Sequence, residues 1–186
     1  MELSQSDMKI FNIKKAIVIG TRPDRKDQLE NCLSSIKTDY PVLVVDCDGY
    51  EMGKIYWTLL NTDVDEFIFL QDTVEIKNND LFKVCFEDFD KSVSICNSPR
   101  MFGCYMGKYK RSILERMALK PTQTKLSSVE YEMQIGDDYS NFEMPIKLFD
   151  NLGKTDKFIE RWGHKVMVIE NEYLIKYKSI WNRNML

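Results

Sequence analysis

Phe67-Ile68-Phe69-Leu70-Gln71-Asp72-Thr73 sets four large apolar residues in a row against an amide, a carboxylate and a hydroxyl. An unbroken apolar run of this length, with aromatic and β-branched members, predicts a strand buried on both faces, as in a parallel sheet. Asp72 is then carried out at the carboxyl edge, where ligands of open α/β sheets bind. An unpaired carboxylate is costly in a core, so an acid placed there suits a metal ion or a sugar hydroxyl. The plainer reading is that Asp72 opens a turn and caps the next segment of chain.

Towards the amino terminus, Lys15-Ala16-Ile17-Val18-Ile19-Gly20 is a short apolar run closed by glycine, and Leu29, Cys32, Leu33 and Ile36 then recur at helical spacing within residues 27–36. After Pro41 comes Val42-Leu43-Val44-Val45-Asp46, read as a second buried strand ending in an acid. Met52, Ile55, Tyr56, Leu59 and Leu60 form a second helical stripe. Strands alternating with helices of about ten residues point to βαβ units, which build a mostly parallel sheet through right-handed crossovers.

Towards the carboxyl terminus, Asn78-Asn79-Asp80 starts a helix over residues 81–86, and Ser92-Val93-Ser94-Ile95-Cys96 reads as a strand before the turn at Pro99. Residues 112–119 form a short amphipathic helix with a basic lead-in. Residues 120–145 are polar, contain Pro121, Gly136 and Pro145, and read as a loop or lid, with a helix over 127–135 as the alternative. Lys165-Val166-Met167-Val168-Ile169 is the expected last strand. An aromatic and basic tail comes after it, with Tyr173, Tyr177 and Trp181 among Lys176, Lys178 and Arg183.

A length of 186 residues suits one domain. At 44% hydrophobic and 30% charged residues the composition is that of an ordinary globular protein. No apolar run approaches the ~18 residues of a membrane span. The amino terminus is polar and acidic where a secretory signal is basic and then apolar, so a cytoplasmic location is expected. The five cysteines are widely spaced, with no CxxC pair, and read as small buried residues. A net charge of -3 argues against broad attraction to nucleic acid.

The apolar strand followed by Thr21-Arg22-Pro23-Asp24-Arg25, a helix carrying Cys32-Leu33-Ser34-Ser35-Ile36, a strand ending Val44-Val45-Asp46, and then Phe69-Leu70-Gln71-Asp72 resembles the amino-terminal half of GT-A fold glycosyltransferases, particularly the family 2 type. Met101-Phe102-Gly103-Cys104-Tyr105-Met106-Gly107-Lys108-Tyr109-Lys110-Arg111-Ser112 resembles that family's glycine-containing segment near the sugar and acceptor. The resemblance covers about residues 14–117, the nucleotide-sugar-binding part of one GT-A-like, Rossmann-like α/β domain, with about 118–186 left for an acceptor or lid loop and the carboxyl-terminal segment. It implies transfer of a hexose or pentose from a nucleoside-diphosphate sugar to a hydroxyl acceptor. Thr21, Arg22, Asp46, Gln71, Lys108 and Arg111 would contact the donor, and Asp72, with His164 as a possible late ligand, would hold Mn²⁺ or Mg²⁺.

The chain departs from the family at the metal motif, where two acids in Asp-x-Asp are usual and Gln71-Asp72-Thr73-Val74-Glu75 stands instead. One carboxylate can still hold a hard cation when diphosphate oxygens and water complete the shell. Asp46-Cys47-Asp48 falls at the nucleoside-contact position, and Asp63-Val64-Asp65 reads as a solvated turn. Displacing a nucleoside diphosphate requires that charge on the leaving phosphate be neutralised. Arg22, Arg25, Lys108, Lys110, Arg111 and His164 are the candidates for this. Bases opening a helix oppose its dipole, so a bound anion would explain Lys108 to Arg111, the plain alternative being exposed bases.

An inverting transferase also needs a base for the acceptor proton. Glu130, Glu132, Asp137 and Asp138 are the acids of the expected lid, Asp137 and Asp138 being the preferred pair over ordinary solvated carboxylates. Gly49-Tyr50-Glu51-Met52-Gly53-Lys54-Ile55 misses a phosphate loop, its glycines one residue too close and Ser or Thr missing after Lys54. Gly49 and Gly53 are instead read as allowing close approach of backbone to ligand or sheet, with Lys54 near the nucleotide. Two other functions stay open: a non-catalytic GT-A-like binding protein, and a sugar-phosphate nucleotidylyltransferase, whose glycine- and arginine-rich loop Gly20 to Arg25 matches poorly. The acceptor class, whether glycan, protein or modified nucleic-acid base, is left open.

Overall fold

The computed structural model describes residues 13–95, 106–117, 119–122, 124–148 and 157–179. Strand β1 (Lys15–Gly20), helix α1 (Lys26–Ser35), strand β2 (Val42–Val45), helix α2 (Tyr50–Asn61) and strand β3 (Glu66–Gln71) keep to the predicted alternation. After a short strand β4 (Val74–Ile76) come α3 (Asp80–Lys83), continued by a π-turn over Val84–Asp88, then β5 (Val93–Ser94), β6 (Gly107–Lys110) and α4 (Arg111–Arg116). Helix α5 (Lys125–Phe142) leads to β7 (Ile146–Lys147), β8 (Phe158–Arg161), β9 (His164–Glu170) and β10 (Leu174–Ser179).

The six-stranded sheet has the order β2-β1-β3-β6-β5-β7. β1 pairs in parallel with β2 and β3, β6 runs antiparallel to β3 and β5, and β5 pairs in parallel with β7. One strand therefore runs against the other five. The architecture is α/β, a mixed sheet flanked by helices.

Phe67, Ile68, Phe69 and Leu70 are all fully buried, as expected for a strand covered on both faces. Their alternation divides the core. Phe67 and Phe69 join Ala16, Val18, Met52, Ile55 and Tyr139 under α2 and α5, whereas Ile68 and Leu70 join Ile17, Ile19 and Cys32 under α1. Strand β2 differs from its expected full burial: it is an edge strand, and Val44 is 43% exposed.

Two further differences concern the carboxyl-terminal third. The expected loop over 120–145 contains an 18-residue helix, α5. Thr124 caps it by accepting from the Ser127 backbone N–H at 3.1 Å, while Ser127 Oγ accepts from the Thr124 N–H at 3.1 Å, a reciprocal box that satisfies two donors. Ile135 and Tyr139, one turn apart, are buried with α2 side chains. The single expected last strand is instead a meander, β8-β9-β10, which recruits β4 into a four-stranded antiparallel sheet. Val74, Ile76 and Leu174 from this second sheet belong to the core beneath α1, so the two sheets share one apolar interior.

Candidate functional site

Asp72 lies one residue beyond β3, its backbone N–H donating to Gly20 O at 3.0 Å and so extending the pairing of β1 with β3 past Gln71. Its side chain is completely buried. Thr21, one residue beyond β1, donates its hydroxyl to Asp72 Oδ2 at 2.9 Å, and Arg25, which precedes α1, donates from Nη1 to Asp72 Oδ1 at 3.1 Å. A buried carboxylate needs such partners, and here each oxygen has one.

A second layer lies beside this one. The Gln71 amide donates to Glu51 Oε1, and Lys176 Nζ donates to Gln71 Oε1 and Thr73 Oγ1. Glu51 opens α2. Lys176 arrives from the second sheet, where it pairs with Val74. Lys54 Nζ donates to Cys47 O at 3.1 Å and Tyr50 O at 3.2 Å. Its stem crosses Gly20, where an added Cβ would lie 2.8 Å from Lys54 Cδ and 2.6 Å from the Phe69 ring. The glycine closing β1 thus leaves room for the Phe69 ring and the Lys54 stem.

The charges respond to this burial. Burial pushes the Lys176 ammonium down to about 8, against the opposing pull of Glu51 and Asp72. Burial also lowers Lys54, with Glu51 opposing most strongly. Burial, reinforced by Asp72, raises the Cys32 thiol to about 12, which makes it an inert core residue. Arg22 stands exposed at the rim in a two-point pair with Asp24, which lowers the Asp24 carboxyl.

The turn after β2 forms the facing wall. Gly49 has φ 91° and Tyr50 φ 55°, and a positive φ at tyrosine is strained backbone of the kind that collects at binding sites. Thr122 Oγ1 donates to Gly49 O at 2.6 Å, tying the segment before α5 to this turn. A Cβ on Gly49 would lie 2.6 Å from Thr122 O, and one on Gly53 only 2.2 Å from Asp48 O. The close approach expected at these glycines is therefore of backbone to backbone. Asp46 is exposed at the end of β2.

The structure thus brings Thr21, Arg25, Gln71 and Asp72 together, with Arg22 and Asp46 at the same strand ends. It separates the other expected residues. Lys108 pairs with Ile68 across β6 and β3 and is buried, its Nζ donating to Phe89 O at 2.8 Å and pairing with Glu66 at 3.2 Å. Arg111 donates to Val64 O at 2.8 Å, Leu59 O at 2.9 Å and Thr62 O, fastening the end of α2 to the start of β3. Because β6 runs antiparallel to β3, with Lys110 opposite Glu66, both bases serve the amino edge, opposite Asp72. Residues 101–105 of the glycine-containing segment, and Trp181 and Arg183, lie outside the described residues.

Asp137 and Asp138 are helical rather than on a loop. They lie fourteen or so residues down α5 from its Thr124 cap, or ~20 Å at 1.5 Å per residue. The neighbouring Tyr139 sits at the amino edge, where its hydroxyl meets Ser92 Oγ at 2.5 Å and accepts from the Lys110 N–H at 3.2 Å. Asp138 lines an open cleft of about 750 Å³ with Thr122, Ser127, Tyr131 and Gln134. His164 is exposed at the tip of the β8–β9 hairpin, its Nδ1 3.1 Å from Trp162 O. None of these three residues joins the Asp72 network.

The divalent metal implied by the resemblance does not fit this donor set. Both Asp72 oxygens are engaged, cations surround the carboxylate, and among the described residues there is no group of three His, Cys, Asp or Glu side chains able to hold a metal. Three members of the cluster, Glu51, Thr73 and Lys176, are not among the expected site residues. In sequence Glu51 stands only within the segment that misses a phosphate loop, and Lys176 reads as part of a basic tail. Only the pairing of β10 with β4 reveals its place.

No protein-family model matches the chain, and no curated protein does. Among solved structures it is similar to the crystal structure of A197 from STIV, at 14% identity and a TM-score of 0.48, covering 74% of this chain and 82% of that one. That likeness is too weak to assign a fold family or an activity. No helix among the described residues is long and apolar enough to cross a membrane.

Proposed function

We propose that the carboxyl edge of β1, β2 and β3 binds a nucleoside-diphosphate sugar, and that the chain is a GT-A-like glycosyltransferase passing the sugar to a hydroxyl acceptor. The observation that carries this reading is the convergence of Thr21, Arg25, Gln71 and Asp72, from segments far apart in sequence, on one strand edge facing a strained turn. Asp46, exposed at the end of β2, would take the nucleoside, and the cations beside Asp72 would face the diphosphate. In the reaction the acceptor oxygen bonds to the anomeric carbon as the bond to the diphosphate breaks, and the hydroxyl proton passes to water or to the departing diphosphate. The electron pair leaves on phosphate oxygen, where nearby positive charge stabilises it.

A second reading, a binding module without turnover, is favoured by the commitment of Asp72 to Thr21 and Arg25. A nucleotidylyltransferase fits less well, since the loop from Thr21 to Arg25 contains no glycine. Thermal unfolding with UDP, GDP, ADP, CDP and dTDP and their common sugars tests the site, since ligand at about a hundred times its Kd adds roughly 2.7 kcal/mol of stability. A shift accompanied by release or transfer of the sugar supports a transferase. A shift without turnover on any acceptor supports the module, and no shift with any nucleotide removes both.

A further inference from the structure

Two of the cations at this edge, Lys54 and Lys176, are buried. Arg25, Lys54 and Lys176 come from the loop before α1, from α2 and from the second sheet, and Glu51 and Asp72 act on both lysines. Neither buried ammonium has a carboxylate of its own. Lys54 Nζ is held by two backbone carbonyls, and Lys176 Nζ by an amide oxygen and a hydroxyl. An ammonium has three donors, so one N–H on each lysine is left over among the described residues. Arg25 uses a single N–H on Asp72, and its side chain is 30% exposed. Burying cations without paired acids is costly unless an anion completes the set.

Resting on the nucleotide-sugar reading, we propose that Arg25, Lys54 and Lys176 neutralise the donor's diphosphate in place of a metal ion, with Asp72 anchoring Arg25 and Thr21 rather than acting as a metal ligand. Arg25, open to solvent, is the direct contact. Lys54 and Lys176 lie beneath it, and in a low-dielectric setting their charge acts on the phosphates more strongly than it would through water. The ligand chemistry is a diphosphate, free or within a nucleotide, and the probes separate these two sources.

The test is calorimetric titration of the full chain with inorganic pyrophosphate and with UDP, GDP, ADP, CDP and dTDP, each in excess EDTA and again with Mn²⁺. We expect at least one nucleotide to bind in EDTA with a Kd within about threefold of its value in Mn²⁺. Each of Lys54→Met and Lys176→Met should weaken it at least about tenfold, Lys176→Arg should retain most of the affinity, and Lys108→Met should leave it unchanged. Ligand-free melting shows which variants are folded, and the charge-keeping Lys176→Arg and Lys54→Arg serve if a methionine variant is not. Nucleotide binding that needs Mn²⁺ overturns this inference and leaves the proposed function standing. Binding in EDTA that is indifferent to both lysines overturns it as well. Pyrophosphate binding without any nucleotide binding, or no binding at all, overturns the nucleotide-sugar reading and this inference with it.

Discussion

The two edges of the central sheet each gather bases, and they use them differently. At the amino edge three bases of β6 and α4 each have an acid of their own: Lys108 pairs with Glu66, Lys110 with Glu143 at 2.9 Å and Arg111 with Glu115 at 3.2 Å. The remaining donors of Lys108 and Arg111 fasten backbone carbonyls. At the carboxyl edge Arg22 and Arg25 have acids, Asp24 and Asp72, whereas Lys54 and Lys176 are buried on neutral oxygens. A run of bases in sequence is therefore a poor guide to anion binding. On the proposed reading a buried base without a paired acid marks the anion site, and a paired base a structural clamp.

The comparison can be broken most sharply at Gly53. An alanine Cβ would lie 2.2 Å from Asp48 O, a backbone atom with little room to move. Gly53→Ala should cost more than about 3 kcal/mol, read by urea unfolding, because it forces apart the turn walling the carboxyl edge. A smaller cost would mean that the turn is compliant and the wall of the site adaptable.

Arg111→Ala tests the amino edge. Three carbonyls around the end of α2 lose a charged donor, a loss of roughly 3 kcal/mol by denaturant unfolding, with nucleotide affinity at the other edge unchanged. A loss of nucleotide affinity out of proportion to stability would return Arg111 to the binding site.

The buried lysine gives the comparison a pH signature. Lys176 is lowered to about 8 from its ordinary 10.5, so between those values the unfolded chain holds a proton that the folded chain has released. Stability contributed by this group therefore rises with pH across that window, and below it the cost of a buried charge is present in full. The groups facing it are Glu51, Asp72, Arg25 and Cys32, of which Cys32 stays neutral through the window. Raised tyrosines and cysteines pull total stability the other way at high pH, so the readout is the difference between wild type and Lys176→Met. The wild type should gain on the variant by on the order of 2 kcal/mol from pH 8 to 10. If the proposed role of Lys176 holds, nucleotide binding should weaken over the same range.

The smallest effect belongs to Asp137 and Asp138, the acids expected as a catalytic pair. Asp137→Asn with Asp138→Asn should leave nucleotide binding and any turnover intact. A turnover loss without an affinity loss would bring the acceptor to α5.

Much of the first half of the fold is legible in the sequence because its signals are local. Lys15 to Gly20 and Phe67 to Leu70 are unbroken apolar runs that only strands buried on both faces accommodate, and the place of Asp72 is set by the second run. Val42 to Val45 looks the same in sequence, yet it lies at the sheet edge, a matter of strand order rather than residue type. Helix α5 is hidden because its buried stripe includes Tyr139 and small residues within a polar background, and its capping box is Thr-Ser rather than the commoner Ser/Thr with Glu. Within the site, Thr21, Arg25 and Asp72 stand directly after strands or before a helix and could be placed by pattern. Lys176 reaches Gln71 across 105 residues of sequence through an antiparallel pairing that no local pattern announces.

The most direct test of a donor site at the carboxyl edge is backbone amide chemical-shift mapping during titration with the nucleotide panel. The predicted result is that perturbations concentrate at Thr21 to Arg25, Asp46 to Lys54 and Gln71 to Thr73, with Lys108 to Arg111 silent. Perturbations centred on Lys108 to Arg111 with the carboxyl edge silent, or none with any nucleotide, would contradict it.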